Sequence, residues 1–287
     1  MISGRKAALT VMILLALAGC DFPGVDGAVE PTGAPAVPTS TTSAERRPLT
    51  PTSVPVTEPV PLPDERPQEA IMILVPGPGS RLTSPFMVRG VSDPTFEQTL
   101  VVRLVDASGS KLTEQPVNIQ TPLGERGPFE GEIDFMLSEQ TNVFLQVYAT
   151  SPRDGGITHL ETVGGGITLL PEGTQEVVER DPYPEQIAIY EPQNGQQIRG
   201  GIVHVEGLGV ASFEGTLVLE LYDVDGSQLD SKAIIVDAPD MGTPGIFSGE
   251  LSYSITEPMP ARVVVRDPLP TGNGVNHIAS VEIRLQP

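Results

Sequence analysis

The stretch FEGTLVLELYDVDGSQL, residues 213–229, decides the fold of this 287-residue chain. A related stretch, FEQTLVVRLVDASGSKL, lies at residues 96–112 in the same register. Each copy is a run of β-branched and other apolar residues that meets an Asp-x-x-Gly turn and then begins a second run. Because this pattern is typical of a β-hairpin, the sequence predicts a tandem repeat of β domains.

The similarity extends to both sides of these hairpins, over residues 71–171 and 187–287. Each repeat contains about seven short apolar runs that are separated by Gly or Pro turns, without helical periodicity. This pattern predicts an all-β fold with two tandem immunoglobulin-like β-sandwiches. Neither repeat contains Trp or Cys, so the predicted cores consist of Val, Ile, Leu and the matched Phe or Tyr residues.

An acidic segment with two prolines, residues 172–186, separates the repeats. The segment is too short and too rich in proline to form a domain of its own. We therefore predict a semi-rigid spacer between two sandwiches that fold independently and follow each other in series.

The N-terminus has the features of an export signal. Arg5 and Lys6 precede an apolar run that ends in Leu-Ala-Gly-Cys at residues 17–20. The run is short for a membrane span, and residues 1–19 are typical of a signal peptide. Leu-Ala-Gly-Cys resembles the bacterial lipobox, which implies lipid on Cys20 and anchoring in the cell membrane, on its extracytoplasmic face. Cys20 is the single cysteine of the chain, and an ordinary signal peptide with an incidental cysteine is the alternative.

Residues 20–70 form a segment of different composition, rich in Pro, Thr and Ser. Closely spaced prolines favour the extended polyproline II conformation, and no hydrophobic period is present that would support a packed core. The sequence predicts a disordered tether that raises the folded domains above the membrane.

Several motifs of the first repeat occur in a known family. They are Ile71-x-Ile73-x-x-Pro76, Ser84-Pro85-Phe86, Phe96-Glu97, Asp106-x-x-Gly109 and Ser151-Pro152-Arg153-Asp154-Gly155. With these motifs the chain resembles the immunoglobulin-like domain of bacterial spore germination over both repeats, most specifically in the first. The second repeat keeps Phe213-Glu214-Gly215 and Asp223-x-x-Gly226 but lacks the Ser-Pro-Phe motif. The resemblance implies an immunoglobulin-like fold, an extracytoplasmic location and a sporulation or germination context, and it implies no active site.

The charge balance argues against nucleic acid as a partner. The chain has 17 Lys and Arg against 37 Asp and Glu, a net charge of -20. A polyanion such as DNA is repelled by such a surface. The sequence also shows no nucleophile elbow and no Ser, His and Asp arrangement, so we expect no enzyme and no cofactor.

The three histidines are predicted to lie apart. His159 and His277 occupy matching positions near the last strand of each repeat, and His204 lies in an early strand. We expect surface or edge-strand histidines and no metal site. The Asp223-x-Asp225-Gly226 motif is similar to half of a calcium loop, but a tight hairpin turn explains the same residues and is favoured.

Two matched pairs are the candidate ligand-binding residues, Phe96 with Glu97 and Phe213 with Glu214. An exposed aromatic ring beside a carboxylate would form a recognition edge, whereas the favoured interpretation makes each Phe a buried plug at one end of its sandwich. The predicted function is a non-catalytic, membrane-tethered display of two domains that bind an envelope protein or a cell-wall polysaccharide. The alternatives are a structural spacer without a dedicated ligand and an undetected hydrolase.

Overall fold

The computed structural model describes residues 66–269 and 274–287. These residues form sixteen β-strands and one short 3-10 turn at Phe96–Gln98, with no α-helix among them. The predicted all-β fold is confirmed. Within the same residues, no helix reaches the length and hydropathy needed to cross a bilayer. The predicted signal peptide, Cys20 and the tether up to residue 65 lie outside the described residues.

The first domain is a sandwich of two sheets. One sheet has the order β1-β3-β6, and the other has the order β8-β7-β4-β5 with β2 beside β8. The strand bounds are β1 Ile71–Val75, β2 Arg81–Leu82, β3 Phe86–Ser92, β4 Thr99–Asp106, β5 Lys111–Asn118, β6 Gly127–Ile133, β7 Thr141–Thr150 and β8 Ile157–Leu169.

The second domain repeats this arrangement. One sheet has the order β14-β11-β9, and the other has the order β13-β12-β15-β16 with β10 beside β16. The strand bounds are β9 Ile187–Glu191, β10 Gln197–Ile198, β11 Ile202–Gly209, β12 Thr216–Tyr222, β13 Gln228–Ile235, β14 Gly245–Ser252, β15 Met259–Pro268 and β16 Val275–Leu285. The predicted tandem of two immunoglobulin-like sandwiches is confirmed.

Alternate side chains of the central strands fill each core. In β4, Leu100, Val102 and Leu104 point inward and are fully buried. Each such side chain contributes about 1.5–3 kcal/mol relative to an exposed one. The two cores share a further feature: Phe129 packs over Gly90 and Phe247 over Gly207. A Cβ atom at either glycine would overlap the aromatic ring and a carbonyl oxygen of the neighbouring strand, so only glycine fits beneath the ring.

The two domains share one sheet. β8 and β16, the last strands of the two domains, pair antiparallel through Leu160 with Ile278 and Glu161 with His277. The larger sheets therefore join into a single ten-stranded sheet. The expectation that a spacer alone connects two separate sandwiches is wrong, because this backbone pairing connects them directly.

The segment between the repeats does not stand free as predicted. Its backbone bonds to the first domain, where Gly77 N donates to Val178 O at 2.7 Å and Arg180 N donates to Leu74 O at 2.9 Å. Arg81 and Glu176 exchange two backbone hydrogen bonds of 2.8 Å. We call residues 172–186 the strap, since they run along the β1 and β2 edge and cover backbone groups that would otherwise remain open.

The folded part also begins earlier than the sequence predicts. Gln68 forms an isolated bridge with Pro184, and Glu185 N donates to Pro67 O at 2.8 Å. Glu69 has 0% of its surface exposed. Residues 66–70 were included in the predicted tether, yet these contacts make them part of the packed structure.

Candidate functional site at the domain junction

The structure exposes both candidate phenylalanines. Phe96 is 57% exposed and Phe213 43% exposed, so the interpretation as buried plugs is wrong. Both adjoining glutamates, Glu97 and Glu214, have left-handed backbones, with φ of 53° and 50°. Non-glycine residues adopt this conformation at a cost, and in both domains it directly follows the exposed Phe.

An open cleft lies where the two domains meet. It has a volume of about 460 Å³. The first domain lines it with Phe96, Pro94, Pro152 and His159, among others, and the second with Ser280 and Glu282. Of the four candidate ligand-binding residues, Phe96 alone is among the lining residues.

Four ionisable residues converge at the base of this junction. Glu69, His159, Glu185 and His277 each place one potential ligand atom within 4.8 Å of the others, and we call them the junction cluster. The imidazole rings of His159 and His277 are 4.9 Å apart and nearly perpendicular. The prediction that these histidines lie apart is therefore wrong. The pairing of β8 with β16 places the two matching positions side by side.

Hydrogen bonds connect the junction cluster in pairs. His159 Nε2 lies 2.6 Å from Glu69 Oε1, and His277 Nε2 lies 2.9 Å from Glu185 Oε1. The second ring nitrogen of His277, Nδ1, lies 3.0 Å from Glu161 Oε2. All of these side chains except His159, which is partly exposed to the cleft, are buried.

A further set of contacts fixes the carboxylates. Glu161 Oε1 accepts hydrogen bonds from Tyr183 OH at 2.9 Å and from Arg180 at 3.3 Å. Glu185 Oε2 accepts a bond from Ala70 N at 2.9 Å, and Glu69 Oε2 accepts one from Gln186 N at 3.1 Å. Each of these two glutamates thus caps the backbone that follows the other. The contacts of Glu69 and Glu185 are therefore symmetric, in agreement with their matching positions in the sequence.

The cluster has strong internal electrostatics. Burial favours the neutral form of His277, but Glu69, Glu161 and Glu185 outweigh it and raise the pKa of the imidazole well above its usual 6.5. Burial also favours the neutral form of Glu185, which raises the pKa of its carboxyl. His159 and His277 outweigh this effect and lower the pKa to about 2. The carboxylates therefore favour the charged imidazolium of His277, and the histidines favour the charged carboxylate of Glu185. The arrangement can hold a compensated ion network or coordinate a cation.

A buried ion pair also joins the two domains. Arg262 of β15 donates two hydrogen bonds to the Asp154 carboxylate, at 2.9 and 2.8 Å. The side chains are 3% and 1% exposed. Arg153 forms a second ion pair across the junction with Glu282. Apolar contacts among Tyr148, Leu160, Val264 and Ile278 complete the contact surface.

Residues 70–156 match the family model of the immunoglobulin-like domain of bacterial spore germination. The predicted resemblance is thereby confirmed for the first repeat, whereas the match does not extend to the second. The matched region contains strands β1 to β7 and the Asp154 loop, and it ends before β8. His159 and the whole second domain lie outside it. The match therefore covers most of the first repeat and says nothing about the junction cluster.

Other comparisons add little. No curated protein matches the chain in sequence. Among solved structures, dimeric latent PorU from Porphyromonas gingivalis is similar at 11% identity and a TM-score of 0.24. The match covers 76% of this chain and 24% of the PorU chain, so this chain spans about a quarter of that protein. At this TM-score the likeness supports no conclusion on fold or function.

The remaining motifs behave as turns. Asp106 Oδ1 accepts hydrogen bonds from the backbone of Ser108 and Ser110, at 2.8 and 3.0 Å. Asp223 does the same for Asp225 and Ser227, at 2.9 and 2.8 Å. A carboxylate that accepts bonds from its own turn explains the Asp-x-x-Gly spacing without a cation.

Sequence reasoning missed Glu69, Glu161 and Glu185. One signal for two of them was present, because Glu69 stands two residues before Ile71 and Glu185 two residues before Ile187, at matching positions of the repeats. The match indicates a shared role. Their convergence was not visible, since it depends on how the two domains pack.

Proposed function

We propose that the protein is a non-catalytic, lipid-anchored module on the extracytoplasmic face of the cell membrane, which presents its two joined domains to a partner in the envelope. The partner is an envelope protein or a cell-wall polysaccharide. The observation that carries the proposal is the cleft at the junction, where an exposed aromatic ring faces residues of the second domain.

The lining of the cleft supports binding. Phe96 and the nearby Pro94 and Pro152 offer an apolar surface, and Ser280 and Glu282 offer polar groups opposite them. Binding sites typically combine an apolar surface with a few polar groups that orient the ligand. An aromatic ring that is more than half exposed gains most when a partner covers it.

The junction also supports binding through preorganisation. The shared sheet and the buried pair of Arg262 with Asp154 fix the two walls of the cleft relative to each other. A rigid site loses little conformational entropy when it binds, so more of the contact energy appears as affinity.

The membrane anchor and the biological context of the proposal are supported by the sequence and by the family match. The lipobox-like residues 17–20 support a lipid on Cys20. The family match of residues 70–156 supports a sporulation or germination context. Both belong to the proposal.

A structural spacer without a dedicated ligand is the second candidate. The continuous sheet favours it, because a stiff pair of domains separates its neighbours by a fixed distance. A spacer needs no exposed ring in its cleft, whereas a binder does. Substitution of Phe96 therefore distinguishes the two functions.

The test compares Phe96→Ala with Phe213→Ala. Both remove an exposed ring at matching positions, but only Phe96 lines the cleft. Residues 58–287, whose described part forms one compact unit, are assayed for co-sedimentation with purified cell walls and for photo-crosslinking to envelope proteins from position 152, an exposed residue that also lines the cleft. We expect Phe96→Ala to weaken binding by about 30-fold in whichever assay shows specific binding, as for an aromatic hot spot. Phe213→Ala should leave that binding unchanged.

Unaltered melting temperatures show that both variants remain folded. Equal effects of the two substitutions, or no specific binding in either arm, would contradict the binding function. The second of these results would favour the spacer.

A further inference from the structure

The junction cluster collects two imidazoles and two carboxylates from four separate segments. Glu69 precedes β1, His159 lies in β8, Glu185 lies near the end of the strap and His277 lies in β16. Each repeat contributes one matching His, and the segment that precedes each repeat contributes one matching Glu. Such convergence of buried ligand-type side chains from four segments calls for a specific role.

We propose that the junction cluster is a structural site for one divalent transition-metal ion of the zinc class, which clamps the two domains together. Imidazole nitrogen and carboxylate oxygen are ordinary zinc ligands, and four protein ligands are typical of closed structural sites. Calcium and magnesium prefer six or more oxygen ligands, so two nitrogens select against them.

The distances among the four ligand atoms are close to those around such an ion. The four separations between a His Nε2 and a Glu Oε1 are 2.6, 2.9, 3.8 and 4.0 Å. Two ligands at about 2.0 Å from a tetrahedral zinc ion are roughly 3.3 Å apart, which lies within this range. The two shorter separations would lengthen and the two longer ones shorten, each by about 0.4–0.7 Å, to reach that value, and all pairs of ligand atoms lie within 4.8 Å of one another.

The surrounding contacts are those that a metal site uses. A metal-bound histidine typically directs its other ring nitrogen to a carboxylate, which fixes the tautomer and the ring orientation. His277 does this through Nδ1 and Glu161, and Tyr183 and Arg180 hold Glu161 in place. The second oxygens of Glu69 and Glu185 accept backbone hydrogen bonds, which leaves one oxygen of each to face the histidines.

Charge and access also agree with an ion. The two ligand carboxylates balance a divalent cation, and Arg180 lies against the third carboxylate, Glu161. His159 lines the cleft and is the partly exposed member of the cluster, so an ion can enter from that side.

The experiment uses residues 58–287, whose described part forms one compact unit, after treatment with a chelator. Zinc chloride is titrated by calorimetry, and bound metal is counted by mass spectrometry. We expect one zinc per chain and a rise in melting temperature of about 5–10 °C when free zinc exceeds Kd about a hundredfold, with no such rise in calcium. His159→Gln should weaken binding at least about 100-fold, and Glu161→Gln about 10- to 100-fold.

His204→Gln is the matched control. His204 also lies near a glutamate, Glu250, at 3.3 Å, but on the surface. This variant should bind zinc as the native sequence does. Loss of the same zinc in His204→Gln would overturn the proposal.

A spectroscopic measurement avoids any variant that fails to fold. X-ray absorption of the zinc-loaded native sequence should show nitrogen and oxygen ligands at about 2.0 Å and scattering from two imidazoles. Absence of stoichiometric zinc, or zinc with fewer than two imidazoles, would overturn the proposal and leave the cluster as a hydrogen-bonded ion network.

Discussion

At the scale of single residues, the sequence shows which side chains matter in local motifs but not which distant ones they meet. Asp154 stands in the Ser-Pro-Arg-Asp-Gly motif that supports the family resemblance. Its partner Arg262 lies in the other repeat, 108 residues away. No spacing rule connects these residues. The pair forms because the two domains meet there. Both side chains are buried, so each charge depends on the other for its compensation.

Asp154→Asn should remove the charge that compensates buried Arg262. We expect the free energy of unfolding to fall by about 3 kcal/mol at neutral pH, because an uncompensated buried charge is costly. Burial raises the pKa of Asp154, but the Arg262 hydrogen bonds outweigh it and lower the pKa below 3.8. A carboxyl whose pKa is lower in the folded state stabilises the folded protein at pH values above its unfolded pKa. This contribution is lost as the pH falls through the folded pKa.

Urea unfolding of the native sequence and of Asp154→Asn between pH 7 and pH 2 measures this effect. The difference between their free energies of unfolding should be largest at neutral pH and shrink below about pH 4. Asp93→Asn is the control, because Asp93 pairs with Arg126 at the surface and should contribute less than about 1 kcal/mol. A difference that stays constant across this range, or an equal effect of Asp93→Asn, would contradict the role given to Asp154.

At the scale of elements, the sequence predicts the hairpins well and the strap poorly. The alternation in β4 and the turn at Asp106 specify a hairpin locally, and the structure contains it as β4 and β5. The strap has no apolar period, and its attachment depends on backbone groups that every sequence possesses. A proline-rich composition excludes a helix, but it does not show whether the segment packs against a neighbour.

Ser80→Ala should loosen the strap. The buried Ser80 hydroxyl donates to Gly77 O at 2.7 Å and accepts from Val178 N at 2.9 Å. Its removal leaves a backbone donor of the strap without this partner, so we expect a loss of about 1–3 kcal/mol. Hydrogen exchange should quicken around Val178 more than in the β4 strand. The exposed Ser227→Ala is the control, and unchanged exchange at Val178 would show that the strap is held elsewhere.

At the scale of the whole molecule, the sequence predicts the two sandwiches but misses their union. Internal similarity shows that the domains are copies, and binary patterns show that they are β-sandwiches. The pairing of β8 with β16 and the junction cluster arise only when both copies are present. The sequence correctly assigns His159 and His277 to separate repeats, but the prediction that they lie apart is wrong, because each lies on the strand that pairs with the other domain.

This union predicts that the two domains unfold together. Leu160 and Ile278 pack across the junction, and His277 finds its carboxylate partners in Glu161 and Glu185, outside the second repeat. Calorimetry of residues 58–287 should therefore show one transition, whereas residues 187–287 alone should melt at a lower temperature. Ile278→Ser should split or lower the transition, while Ile202→Ser, at an exposed position of β11, should not. Two transitions in the native sequence, with the second at the temperature of the isolated fragment, would mean that the shared sheet does not couple the domains.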